Sequence, residues 1–145
     1  WHFDNMDGLR KELFYYSVRY VKDLYKQENE NTTAFYEAVA LGSVTLAVEK
    51  PNLYKYLYME NQHGYDMKEV TQAVTLDNVD ELIQELMQSQ QITSDQVRTY
   101  LMHLDVYIHG ICDLAATGFA PFPKETVLQM VRSASDAFLM QIKAV

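Results

Sequence analysis

The chain has 145 residues, of which 48% are hydrophobic, and this is enough to close one core of ordinary domain size. Its 12 Lys and Arg residues against 20 Asp and Glu residues produce a formal net charge of −8, and the basic residues are scattered along the sequence. Nucleic-acid binding depends on clustered basic side chains that neutralise phosphates, so we expect that these residues alone do not bind DNA.

The first predicted helix spans 6 to 26 and carries two apolar rows. One row repeats at three- and four-residue spacing and comprises Met6, Leu9, Leu13, Tyr16, Tyr20 and Leu24. The second row comprises Phe14, Val18, Val21 and Tyr25. A helix that is apolar over so much of its circumference packs on two sides, and we therefore predict a central connecting helix.

Two further helices are predicted at 33 to 49 and at 51 to 59. Ala34, Ala38 and Gly42 in the first are small enough to let a neighbouring helix approach closely. Pro51 suits the first position of the second helix, because a backbone N–H at that position would have no partner within the helix. A loop is expected over 60 to 65.

The second half of the chain carries three longer predicted helices, at 67 to 90 with a break near 77 and 78, at 94 to 117 and at 124 to 143. Asp66 with Glu69, and Thr93 with Gln96, have the form of capping boxes. Gly118 follows the apolar residues of the middle helix and is a good terminator. No alternating strand pattern competes, so the predicted fold is an all-α bundle of about six helices.

Two short motifs resemble the TetR family of bacterial transcriptional regulators. His2-Phe3-Asp4-Asn5-Met6-Asp7-Gly8-Leu9 resembles the segment in which the family's DNA-recognition helix ends and its connecting helix begins, with Met6 where Lys is usual. Val106-Tyr107-Ile108-His109-Gly110 resembles the His-Gly helix of one large subgroup of regulatory domains. The usual turn glycine before that helix is replaced by Gln90-Gln91. The predicted helix order also matches the family over essentially the whole chain.

The resemblance implies two parts with different roles. Residues 1 to 5 would be the remnant of a helix-turn-helix DNA-binding domain, and residues 6 to 145 the effector-binding and dimerisation domain. Because the sequence opens at Trp1 without an initiator Met, we expect an N-terminus that is either truncated or unresolved, with operator DNA contacted only through the missing domain. The family's usual mode is repression that a small-molecule effector releases.

The resemblance also implies a homodimer in which the last two helices of each copy form a four-helix bundle across a two-fold axis. The implied interface combines small residues, which let helices approach, with apolar bulk, and comprises Ile108, Gly110, Ala115, Ala134, Ala137 and Phe138. The alternative interpretation is that the small residues serve only packing within one subunit.

The resemblance further implies that an effector lies among the connecting helix and the two or three helices that follow it. Most of the candidate effector-binding residues combine an apolar ring with a polar tip, which suits a ligand of mixed polarity. They comprise Tyr16, Tyr20, Phe35, Tyr58, Met87, Tyr100, His103 and Tyr107. His103 and Tyr107, one helical turn apart, are the best pair. The acidic net charge favours a cationic or neutral effector. The alternative is that these are ordinary core or surface side chains.

Other functional classes have less support from the sequence. No catalytic motif appears and Cys112 is interpreted as inert packing, so we expect no enzyme and no cofactor. Asp105, His109 and Asp113 recur every four residues, a spacing that suits a divalent metal, but a polar helix flank is the simpler interpretation and we predict no metal. The alternative function is a helical protein–protein interaction module without a small-molecule effector, which a closed core would favour.

The cellular location follows from cysteine content and hydropathy. One cysteine, Cys112, cannot form an internal disulfide, and the start of the sequence lacks a charged-then-apolar signal pattern. The longest weakly polar stretch, 38 to 48, is shorter than the about 20 residues of a membrane helix. We expect a cytoplasmic protein with no membrane partner.

Overall fold

The computed structural model describes residues 4–29, 35–60, 66, 68–69, 72 and 79–145. In these residues the regular structure is entirely helical, which confirms the predicted all-α bundle. The predicted helix start at 67, the break near 77 and 78, the loop over 61 to 65, Ala34 and the first two residues of the N-terminal motif lie outside the described residues.

The described helices agree closely with the predicted ones. They are α1 (Met6–Asn29), α2 (Phe35–Glu49), α3 (Pro51–Tyr54) with a π-helical turn (Lys55–Met59), α4 (Val79–Gln90), α5 (Ser94–Ala116) and α6 (Lys124–Lys143). None of them combines the length and the apolar character that crossing a membrane requires.

The central helix of the bundle is α2, which packs against α1, α5 and α6. Nine of its 15 residues are buried, because it is apolar around nearly its whole circumference. In α1, by contrast, the row with Phe14 and Val18 is buried, whereas Met6 and Leu13 in the other row are exposed. The prediction that the first helix is the central one, packed on two sides, is therefore wrong for the residues that the structure describes.

A close approach between α1 and α2 occurs at Gly42. A Cβ atom at this position would overlap Tyr25 Cδ1 and lie 2.9 Å from Tyr25 Cε1. The ring is held in place, since the Tyr25 hydroxyl and Ser43 Oγ form a 3.0 Å hydrogen bond. The predicted close contact at Gly42 is confirmed.

The ends of α5 follow the predicted capping chemistry. Thr93 and Gln96 form the predicted capping box at its start. At its end Gly118 adopts a positive φ of 73°, and the Phe119 N–H donates to the Leu114 carbonyl at 3.1 Å. These bonds satisfy backbone groups that a helix end leaves without partners.

The end of α4 has the same type of turn without a glycine. Gln91 adopts a φ of 55°, in the left-handed region that favours glycine. The Ile92 N–H donates to the Met87 carbonyl at 3.3 Å, and the Gln91 side-chain amide donates to the Gln88 carbonyl at 2.7 Å. Gln91 thus occupies the position where the resemblance would place the turn glycine.

Two predicted features near the middle of the chain take a modified form. The helix beginning at Pro51 widens after Tyr54 into the π turn, which ends with the Glu60 N–H donating to the Lys55 carbonyl at 2.9 Å. Asp66 accepts a hydrogen bond from the Lys68 N–H at 2.7 Å, as a capping residue would. Its expected partner Glu69 instead contacts Tyr15 and Lys11 on α1.

An ion pair between the buried Glu37 and the exposed Arg132 joins α2 to α6. Glu37 is 5% exposed, and its carboxylate accepts hydrogen bonds from Arg132 Nε at 2.6 Å and Arg132 Nη2 at 3.1 Å. The hydrogen bonds and charge of Glu37 raise the pKa of the Arg132 guanidinium above its usual value. The bidentate geometry fixes how α6 lies along α2.

Candidate ligand cleft

An apolar cleft of about 650 Å³ lies between the first half of α2, α4 and the middle of α5. It exists because α4 packs mainly against α5, through Ile83 and Val97, and does not close onto α2. The volume lies in the range of about 300–1,000 Å³ that is typical of small-molecule sites.

Each of the three helices contributes one face to the cleft. The α2 wall consists of Phe35, Tyr36 and Val39, and the α4 wall consists of Val79, Leu82 and Ile83. The α5 wall consists of Arg98, Leu101, Met102, Leu104, Asp105 and Ile108. Most of these side chains are apolar, so the cleft suits a ligand with an apolar body.

Two charged side chains of α5 line the cleft, and their surroundings differ. Arg98 and Asp105 are seven residues apart, so they lie on the same face of α5, about 10 Å apart along the helix axis. Asp105 Oδ1 lies 3.5 Å from His109 Nε2. Among the described residues no carboxylate lies within ion-pair distance of the Arg98 guanidinium.

A partly buried network of polar side chains begins at His109, next to the cleft. The Tyr54 hydroxyl lies 3.2 Å from His109 Nδ1 and donates a 2.7 Å hydrogen bond to Asp113 Oδ1. The Tyr58 ring packs on the His109 ring, with 4.9 Å between the centroids. Burial, and for Tyr54 also the bond to Asp113, raises the pKa of both tyrosines well above the usual value. Both are therefore neutral at pH 7.

The Tyr58 side chain also reaches α1. Together with Val21, Lys22 and Tyr25 it lines a cavity of about 20 Å³, which is the size of one water molecule. Burial raises the pKa of Tyr25 as well. The π turn thus places Tyr58 between His109 on α5 and Tyr25 on α1.

The candidate effector residues are distributed over several parts of the bundle. Phe35 lines the cleft. Tyr20 packs against the main core, and Met87 packs against Ile83 and Ile92. Tyr58 belongs to the buried polar network. Tyr16 is 59% exposed.

The remaining candidates on α5 face α6. Tyr100 is buried, and its hydroxyl forms a 2.6 Å hydrogen bond with Ser135 Oγ. The rings of His103 and Tyr107 pack edge-on against Phe138, with centroid distances of 5.4 Å and 6.3 Å. The pair that the sequence favoured is therefore brought together, but against α6 and not in the wall of the cleft.

The candidate dimer residues occupy both buried and exposed positions. Gly110 and Ala137 are exposed, Ala115 and Phe138 are half-buried, and Ala134 is 9% exposed. Ile108 is 3% exposed and lines the cleft, which leaves it little surface to offer a second copy.

Exposed apolar side chains lie close to these positions. On α5, Val106 and Leu114 are exposed, each four residues from Gly110. A Cβ atom at Gly110 would meet nothing within 4 Å. Met140 on α6 is also exposed.

The described residues contain no group of three or more His, Cys, Asp or Glu side chains arranged to hold a metal ion. Asp105 and Asp113 lie on either side of His109 along α5, and Asp113 is engaged by Tyr54. Cys112 is fully buried, and burial raises its pKa to about 12. A thiol with this pKa is a poor nucleophile at neutral pH.

The sequence analysis missed most of the cleft. Arg98, Leu101, Asp105 and Ile108 repeat at spacings of three, four and three, which is the pattern of one helical face. Spacing alone does not distinguish a face that packs from a face that borders a gap, so the sequence did not identify this face of α5 as a cleft wall.

No protein-family model, curated protein or solved structure significantly matches the chain. A functional assignment therefore depends on the cleft, the polar network and the two sequence motifs.

Proposed function

We propose that this chain is the ligand-sensing and dimerising part of a TetR-type transcriptional regulator of the cytoplasm, with a small-molecule effector bound in the cleft. The observation that carries the proposal is the apolar cleft of about 650 Å³ between α2, α4 and α5. A cleft of this volume with apolar walls from three helices is typical of a small-molecule site.

The polar network supplies a physical connection from the cleft to α1. Asp105 lines the cleft and pairs with His109, and His109 contacts Tyr54 and Tyr58 next to the π turn. In the same turn, the Tyr56 hydroxyl donates to the Arg10 carbonyl of α1 at 3.2 Å.

A ligand that favours one arrangement of Asp105 and His109 would shift the equilibrium between positions of α1. In a TetR-type dimer, the equivalent helix sets the separation of two DNA-reading heads. After a small movement of this helix, the dimer would bind two DNA half-sites about 34–36 Å apart less tightly. Ligand binding in the cleft would thus release operator DNA.

The exposed face of α5 and α6 supports the dimer in this proposal. Val106 and Leu114 expose apolar surface beside Gly110, where a second helix can approach without a clash. Association of two copies through this face would bury these side chains.

The same face favours a second candidate function, a protein–protein interaction module without an effector. Exposed Val106, Leu114 and Met140 would then contact a different protein. The two functions differ in what they require of the cleft, since only the sensor requires a ligand there.

A cleft-filling substitution tests the sensor. We expect Leu101→Trp to abolish the rise in melting temperature that a stabilising compound from a small-molecule screen produces in the wild-type chain. Phe119→Trp changes an exposed turn residue outside the cleft and is the matched control. If no compound stabilises the chain, or if Leu101→Trp responds like Phe119→Trp, the sensing role is wrong.

Two further measurements address dimerisation and regulation. Sedimentation should show a dimer that Gly110→Glu converts to a monomer, and a wild-type monomer would contradict the dimer. Regulation is tested on the gene product that contains these residues. Its affinity for operator DNA should fall when a compound that stabilises this chain is added.

A further inference from the structure

We propose that the cleft selects an amphipathic monocarboxylate, whose carboxylate binds Arg98 while its apolar chain lies along Leu101 and Ile108. This inference rests on the proposed function, because it names the chemical class of the ligand for the same cleft. It replaces the expectation of a cationic or neutral effector, which came from net charge alone.

The apolar part of the ligand follows from the walls. Val39 on α2, Leu82 on α4 and Leu101 on α5 present hydrocarbon to the same space. Such walls stabilise a ligand by removing its apolar surface from water. A strongly polar ligand would lose its hydration there without gaining hydrogen bonds.

The charge of the ligand follows from the different states of the two ionic side chains. Asp105 Oδ1 lies 3.5 Å from His109 Nε2 and forms an ion pair with it when the imidazole is protonated. Within the described parts of the chain, Arg98 has no carboxylate partner, and its five N–H donors are suited to a carboxylate. An incoming anion therefore finds an available cation, whereas an incoming cation must compete with protonated His109 for Asp105.

The positions of the two charges also set the orientation of the ligand. Arg98 begins the α5 wall, and Asp105 lies about 10 Å farther along the helix. A single carboxylate at Arg98 keeps its charge away from Asp105, and the apolar tail then follows Leu101 and Ile108. A dicarboxylate with its second charge at the far end would be repelled by Asp105.

The test compares headgroups on one hydrocarbon chain. Binding of decanoate, decanol and decylamine is measured by titration calorimetry for the wild-type chain, Arg98→Gln and Arg19→Gln. Arg19 is an exposed arginine of α1 that does not line the cleft, and it serves as the matched control.

We expect the wild-type chain and Arg19→Gln to bind decanoate about tenfold more tightly than decanol, as one charge-assisted contact at an exposed site predicts. In Arg98→Gln the two ligands should bind equally. The affinity for decanol should be the same in all three proteins, which also shows that Arg98→Gln retains its fold.

Each contrary result has a distinct meaning. If decanol binds as tightly as decanoate, or if Arg98→Gln retains the preference, the carboxylate assignment is wrong while the cleft remains a ligand site. If decylamine binds most tightly, Asp105 binds the cationic headgroup and the carboxylate assignment is likewise wrong. If none of the three binds and the compound screen also finds no ligand, both the assignment and the sensing role fail.

Discussion

The Tyr54 hydroxyl donates a 2.7 Å hydrogen bond to Asp113 Oδ1 and thereby joins α3 to the last third of α5. Tyr54 has no exposed surface, so water has little access to replace this bond. The same hydroxyl lies 3.2 Å from His109 Nδ1. One buried side chain thus contacts both His109 and Asp113 of α5.

Removal of this hydroxyl is expected to destabilise the fold. Tyr54→Phe leaves the half-buried Asp113 carboxylate without its donor, and a hydrogen bond to a charged group contributes about 1.5–3 kcal/mol. Urea unfolding measures the difference, with Tyr16→Phe on the exposed side of α1 as the control. A loss no larger than that of the control would show that the bond contributes nothing to the free energy of unfolding.

The two helical glycines at positions 42 and 110 should respond oppositely to alanine. Gly42→Ala forces the Tyr25 ring to move, and overpacking of this kind costs about 1–3 kcal/mol. The Cβ atom that Gly110→Ala adds meets nothing within 4 Å, so this substitution should stabilise the helix by about 0.5–1 kcal/mol in the monomeric state. Thermal unfolding of the two variants checks the opposite signs, and equal effects would contradict the close contact at Gly42.

The left-handed Gln91 is a site at which glycine should stabilise the protein. Gln91→Gly relieves a positive φ of 55° but loses the 2.7 Å bond to the Gln88 carbonyl. We expect a net gain of about 0.5–1 kcal/mol in the free energy of unfolding, measured by denaturant titration. Gln84→Gly, within the same helix, should destabilise by a similar amount. A loss of stability in both variants would mean that the side-chain bond outweighs the backbone strain.

Stability is expected to fall at alkaline pH. In the unfolded chain Cys112 ionises near its ordinary pKa of 9.0, whereas burial raises its pKa to about 12 in the folded protein. Tyr25, Tyr54 and Tyr58 likewise have a raised pKa because of burial.

The unfolded chain therefore loses protons first, so the free energy of unfolding decreases as pH rises from about 9 towards 12. Below about pH 8 these groups keep their protons in both states and add no pH dependence. Urea titrations across this range measure the slope, and tyrosinate absorbance should appear together with unfolding. A free energy of unfolding that stays constant from pH 9 to 12 would contradict the burial of these groups.

Cys112 is expected to be unreactive until the protein unfolds. Its thiol is fully buried, and the raised pKa leaves almost no thiolate at pH 8. An aromatic disulfide reagent should label it slowly in buffer and quickly in guanidinium chloride. Fast labelling of the native chain would show that the helix around Cys112 opens readily.

Local sequence chemistry predicts the helices well and the cleft poorly. Thr93, Gln96 and Gly118 act through neighbours a few residues away, so their roles can be read from spacing alone. The place of α2 at the centre depends on which apolar helix the others cover, and this is a property of the whole bundle. Arg98 was missed for the same reason, because its role depends on the gap between α4 and α2.

The attachment of α4 has a consequence for the rate at which a ligand would enter and leave. Because α4 packs mainly against α5, it can move away from the cleft without disturbing the contacts between α2, α5 and α6. Local opening of this kind requires less free energy than global unfolding. Amide hydrogens of α4 should therefore exchange with deuterium faster than those of α2, and a ligand that bridges α4 and α5 should slow them selectively.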